Sequence, residues 1–169
     1  MSRNPRTLAI AIVSVLAGLL TALLGAAPAS AAVQVVRIAN LNLSTFATAS
    51  SSDDFVRMLP FRATDLQRWA VEDISSTTGT RVLNVATHGC LAVSPTIPII
   101  EGAPVLQRPC INHSSQVWRL VISSSNQTVQ FVNAYSGMCM TIDTTTTSQQ
   151  LRQFRCSGSN TQLFRLVAA

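Results

Sequence analysis

Gln67-Arg68-Trp69-Ala70-Val71, Gln116-Val117-Trp118-Arg119-Leu120 and Gln162-Leu163-Phe164-Arg165-Leu166 are three versions of one phrase. Each is a Gln, any residue, an aromatic and then apolar residues, and the three recur at nearly equal intervals. Six residues before each Gln stand Phe61, Cys110 and Cys156. Six residues after Asn40, Asn84 and Asn133, each of which ends a short apolar stretch, stand Phe46, Cys90 and Cys139. One frame therefore fits three segments, at about 35–71, 80–121 and 127–167. Self-similarity at such a period marks a repeated supersecondary unit whose copies must share a core.

Within each unit the apolar runs are four to six residues long, as in Val35-Val36-Arg37-Ile38, Val82-Leu83-Asn84-Val85 and Val129-Gln130-Phe131-Val132. Runs of that length, rich in β-branched residues, read as strands. Ser/Thr-rich loops separate them, including 50–54, 75–79, 123–126 and 144–148. No stretch keeps a helical apolar period over a dozen residues, so the expected class is all-β. Three copies of four strands predict closure around a pseudo-threefold axis.

The first 31 of the 169 residues stand apart from this frame. Arg3 and Arg6 precede an apolar run from Leu8 to Ala27, and Ala29-Ser30-Ala31 satisfies the small-x-small rule of signal peptidase. The reading is a cleaved signal peptide over 1–31 and one domain over 33–169, exported and free of the membrane after cleavage. Removing Arg3 and Arg6 from a net charge of +5 leaves +3. The remaining arginines are scattered singly, with no basic run and no aromatic-basic interleaving, which excludes a phosphate-tracking nucleic-acid binder. Two histidines and four cysteines leave little stock for catalysis. The expectation is a non-enzymatic protein without cofactor.

The three Gln-x-aromatic phrases, with Cys-Leu-Ala-Val at 90–93 and Gly-Ala-Pro-Val-Leu-Gln-Arg-Pro-Cys at 102–110, resemble the ricin-B-type lectins. The resemblance implies a β-trefoil in which Trp69, Trp118 and Phe164 are central core residues. It also implies carbohydrate, whether polysaccharide or glycan, as the partner. On the repeat frame, Cys90 pairs with Cys110 and Cys139 with Cys156, while Phe46 and Phe61 replace a bridge in the first repeat. A rival use of His88, Cys90, Cys110 and His113 is a zinc site, which has the right ligand types. Oxidising export conditions and the lack of histidine near the second pair weigh against it.

In the resembled family each repeat supplies an Asp two residues after the first Cys position, an aromatic two before the second, and an Asn before the Gln. Here those positions hold Thr48, Leu59 and Leu66; Ala92, Arg108 and Ser115; and Thr141, Phe154 and Thr161. The third repeat alone keeps the aromatic. Asp143 lies two residues beyond the expected Asp and returns to the same strand face, and Asn160 lies one place early. The predicted sugar site is therefore Phe154 as stacking platform, Asp143 and Asn160 as hydroxyl partners, and Gln162 as support. Arg108 is a weaker candidate for an acidic glycan. The alternative function is a degenerate trefoil that binds or inhibits a protein, using the loop from Pro95 to Pro104.

Overall fold

The computed structural model describes residues 33–42, 44–74, 79–96, 99–124, 127–145, 147 and 149–169. The proposed signal peptide lies outside the described residues, as do most of the loop at 75–79 and parts of those at 95–104, 123–126 and 144–148. Among the described residues there are twelve strands, four per repeat. The first repeat holds β1 (Gln34–Asn40), β2 (Thr45–Thr48), β3 (Arg57–Pro60) and β4 (Trp69–Asp73). The second holds β5 (Thr80–Asn84), β6 (Cys90–Val93), β7 (Val105–Arg108) and β8 (Trp118–Ser123). The third holds β9 (Thr128–Asn133), β10 (Cys139–Ile142), β11 (Leu151–Phe154) and β12 (Phe164–Ala168). The helical content among the described residues is three single 3₁₀ turns, Asp65–Gln67, Ser114–Gln116 and Asn160–Gln162, each ending on the Gln of its phrase.

First and fourth strands of each repeat close an antiparallel barrel in the order β1, β4, β5, β8, β9, β12 and back to β1. The second and third strands form hairpins β2–β3, β6–β7 and β10–β11. Single bridges tie the hairpins to one another: Phe55 to Leu106, Pro104 to Arg152, and Arg57 to Gln150. Each bridge joins a different pair of repeats, so the cap is closed like the barrel. This is the pseudo-threefold closure that the repeat frame predicts and the β-trefoil that the resemblance implies.

The core repeats in sets of three. Trp69, Trp118 and Phe164 are fully buried. So are Ile38, Val82 and Phe131, each two residues before the frame Asn, and Val56, Val105 and Leu151 from the hairpins. Burying such side chains contributes about 1.5–3 kcal/mol each. Both indoles also satisfy a buried carbonyl, with Trp69 Nε1 donating to Ala47 O at 2.9 Å and Trp118 Nε1 to Leu91 O at 2.8 Å. Phe164 has no such donor. It packs instead edge-on against Phe131, with centroids 5.7 Å apart and planes at 83°.

Two disulfides, Cys90–Cys110 and Cys139–Cys156, join the two ends of their repeats' hairpins. In the first repeat the rings of Phe46 and Phe61 meet in an edge contact with centroids 5.5 Å apart. A buried Phe46 under a half-exposed Phe61 thus occupies the place of a bridge, and the guanidinium of Arg37 covers Phe61 at 5.4 Å. The zinc alternative loses its ligands, since the sulfurs of Cys90 and Cys110 are bonded to each other.

Candidate functional site

The Gln of each phrase is buried and acts as a clip on the chain that precedes it. Gln67 Oε1 accepts from Arg62 N at 2.7 Å, Gln116 Oε1 from Ile111 N at 2.8 Å, and Gln162 Oε1 from Ser157 N at 2.8 Å. Their Nε2 groups donate to the carbonyls of Pro60, Pro109 and Arg155. This recurring pair of bonds shapes the loop after each hairpin, and that loop forms one wall of any site at the hairpin's end.

Strand register shows which side chains are equivalent there. Phe46 pairs with Leu59, Cys90 with Arg108, and Cys139 with Phe154. Leu59 is 37% exposed on its hairpin. Arg108 is held by the carboxylate of Asp54 at 2.5 Å, which occupies the guanidinium otherwise available to an acidic glycan. Ser115 is buried and bonded to His113. Phe154 is half-buried and forms part of the wall of a cleft of about 420 Å³.

That cleft brings together three of the four predicted residues: Asp143, Phe154 and Gln162. Thr141, the residue standing where the resembled family has Asp, is buried; it accepts from Gln162 Nε2 at 3.1 Å and donates to Cys139 O at 3.0 Å. Thr48 repeats the same pattern with Gln67 and Phe46. Threonine therefore keeps the tether to the Gln but offers no carboxylate to a ligand.

Asp143 is only 8% exposed, so it does not open a solvated loop. Its Oδ1 accepts from Thr145 Oγ1 at 2.6 Å and from Thr145 N at 2.9 Å, and its Oδ2 forms an ion pair with Arg152 Nε at 2.7 Å. The Thr145 hydroxyl and amide, followed by the Arg152 charge, outweigh burial and hold its carboxyl below the ordinary value. Asp143 is thus an ionised acceptor fixed in place.

Asn160 is not part of this arrangement. It begins the third 3₁₀ turn, and its side chain lines two neighbouring clefts, one toward Asn40 and Thr45 and one toward Gln127 and Arg165. One 3₁₀ step turns a side chain by about 120°, so a shift of one place puts it on another wall. The residue that does reach the Phe154 cleft from this turn is Thr161. Glu101 also lines the cleft, 46% exposed, with its Oε1 accepting from Arg155 N at 3.0 Å. It comes from the second repeat, so a frame read within single repeats cannot find it. Gly102, beside it, adopts φ +80° and passes close under the Phe154 ring, where an added Cβ would sit 3.8 Å from Cζ. No group of His, Cys, Asp and Glu suited to a metal occurs among the described residues.

Comparison with known proteins agrees with this architecture. A family model described as "Ricin-type beta-trefoil lectin domain-like" matches residues 65–153. A search of curated proteins finds no match. Among solved structures, the designed threefold-symmetric protein ThreeFoil is similar at TM-score 0.70 and 21% identity, over 80% of this chain and 99% of that one. A ricin B-like lectin of Macrolepiota procera, solved with lactose, is similar at TM-score 0.68 and 11% identity, over 80% and 96% of the two chains. A mosquitocidal holotoxin is similar at TM-score 0.73 and 14% identity, with 81% of this chain covering 17% of that one. With the family model spanning residues 65–153, three buried Gln clips and a closed trefoil, the chain belongs to the ricin-type β-trefoil lectin-like family.

Proposed function

We propose that this protein binds carbohydrate through the third repeat, acting by recognition and not by catalysis. The observation that carries the reading is Phe154. Of the three register-equivalent hairpin positions it alone is aromatic, and it lines a cleft whose other walls bear the carboxylates of Asp143 and Glu101. A pyranose presents an apolar face, which an aromatic ring covers, and an edge of hydroxyls, which fixed acceptors distinguish. Both carboxylates are already engaged by arginines, which suits a static acceptor better than a general base. The first and second repeats offer Leu59 and the Asp54-paired Arg108 instead, so a single working site is the expected stoichiometry.

The test is retention on insoluble polysaccharides and a glycan array. Phe154→Ala is expected to reduce binding at least tenfold with an unaltered melting temperature. Equal retention by the folded variant would remove the third repeat from the function. Export is part of the same proposal, supported by the 1–31 leader and by two disulfides. It is checked by the mass of the secreted product, which should begin at Ala32. A second reading, a protein-binding or inhibitor module, has one observation in its favour: Ile99 and Ile100 are 49% and 52% exposed on the second-repeat loop. Ile100→Ser would then abolish a pull-down that Phe154→Ala leaves intact.

A further inference from the structure

The Phe154 cleft does not end at the third repeat. It shares Ile142, Thr144 and Thr161 with a second cleft, of about 250 Å³, which lies across the junction between the third and first repeats. We propose that this junction cleft holds further residues of an uncharged, extended oligosaccharide whose first sugar lies on Phe154. The proposal rests on the carbohydrate reading above.

Three observations support it. First, the cleft is built of amides. Asn42, Gln149 and Asn160 line it, and their side chains have no partner among the described residues. A free planar amide offers one acceptor and two donors side by side, the complement of neighbouring hydroxyls. Second, among the described residues no ionisable side chain lines the junction cleft, whereas Glu101, Asp143 and Arg155 all line the Phe154 end. A neutral ligand fits there without leaving a charge unpaired. Third, the frame around the amides is fixed. Asn40 Oδ1 accepts from Ser44 N at 2.9 Å and Thr45 N at 3.2 Å, closing the turn that carries Asn42. Gln149 adopts φ 44° and its carbonyl accepts from Met58 N at 2.9 Å. A backbone fixed beneath the amides leaves only their side-chain rotamers to be ordered on binding, which lowers that cost.

The neighbouring junction shows what a closed version looks like. Between the second and third repeats, the residue two places after the frame Asn is Tyr135, where the third–first junction has Asn42. Tyr135 packs against His113 with centroids 5.5 Å apart, and its hydroxyl reaches toward Pro95 O at 3.5 Å. By the cysteine frame, Pro95 corresponds to Thr144, which lines the open cleft. The tyrosine thus spans the gap that asparagine leaves empty. The turn differs as well: Asn133 Oδ1 accepts from the amides of Tyr135 and Ser136, two and three places on, instead of four and five.

The experiment uses galactose, xylose and N-acetylglucosamine together with their linear oligosaccharides of two to four residues, titrated into the oxidised protein. Wild type is expected to bind at least one trisaccharide at least tenfold more tightly than its monosaccharide. Asn42→Tyr, which rebuilds the plug, and Asn160→Ala, which removes one amide without filling space, should each lower trisaccharide affinity toward the wild-type monosaccharide value. Phe154→Ala should weaken every member of the series. Equal wild-type affinities for one and three residues, or a length dependence that survives both junction variants, would overturn the extension while leaving the Phe154 site standing. Failure of wild type to bind any member would overturn that site and the extension together.

Discussion

Gln116 shows how much of this protein depends on one side chain that touches no ligand. Replacing it with Ala leaves Ile111 N and Pro109 O, in an exposed loop held down by this buried side chain, without their partner. Unmade bonds of this kind cost about 1–3 kcal/mol each; a loss of several kcal/mol, read by denaturant unfolding, is the expected outcome. Trp118→Phe is milder, since the ring is kept and only the Nε1 bond to Leu91 O is lost, at about 1–2 kcal/mol. Acid should act through two carboxyls. Asp53 is held below the ordinary value by hydrogen bonds from Arg57, and Asp143 by those from Thr145. A carboxyl with a lower pKa folded than unfolded stabilises above its unfolded value and loses that contribution as pH falls through the folded one. Stability is therefore expected to hold above about pH 4 and decline below it, with a shallower decline in Asp143→Asn. The frame made the clips and the core aromatics legible in the sequence, because each recurs at a fixed offset, and the family resemblance singled out Phe154 among three equivalent positions that hold different residues. Glu101 was not legible, being contributed by another repeat. Asn160 lines the adjoining clefts and not the Phe154 cleft, because adjacent positions on a 3₁₀ turn face different walls.

The hairpins carry the differences between repeats. Each disulfide closes a loop of roughly twenty residues, worth about 3 kcal/mol in the chain-entropy picture, at sequence separations of 20 and 17. Reduction should therefore loosen β6–β7 and β10–β11 but not β2–β3, where Phe46 and Phe61 hold the ends by packing. Hydrogen exchange before and after reduction measures this: protection at 57–59 should outlast that at 105–108 and 151–154. Substituting Phe46 by Ala is expected to cost about 3–5 kcal/mol and to remove that distinction. Strand positions could be read from short apolar runs, although β5 ends at Asn84, one residue before the sequence pattern places it. The bridges between hairpins could not be read, since single backbone pairings leave no side-chain pattern.

Because the barrel closes only when β12 pairs with β1, no repeat can complete its own sheet. Thermal unfolding is expected to be a single transition in the oxidised protein, with calorimetric and van't Hoff enthalpies equal, and a fragment covering 127–169 should lack stable strands. Two resolved transitions would show instead that repeats fold independently. The pairing of β1 with β12 has another consequence. Val36 lies opposite Ala168 while Asn40 lies opposite Phe164, so both ends of the sheet emerge together at one rim of the barrel. Asn42, Asn160 and the proposed glycan groove sit past the other rim, about one strand length away. A tether attached at either end of the folded domain would hold the molecule by its base, leaving the groove turned toward whatever surface it meets.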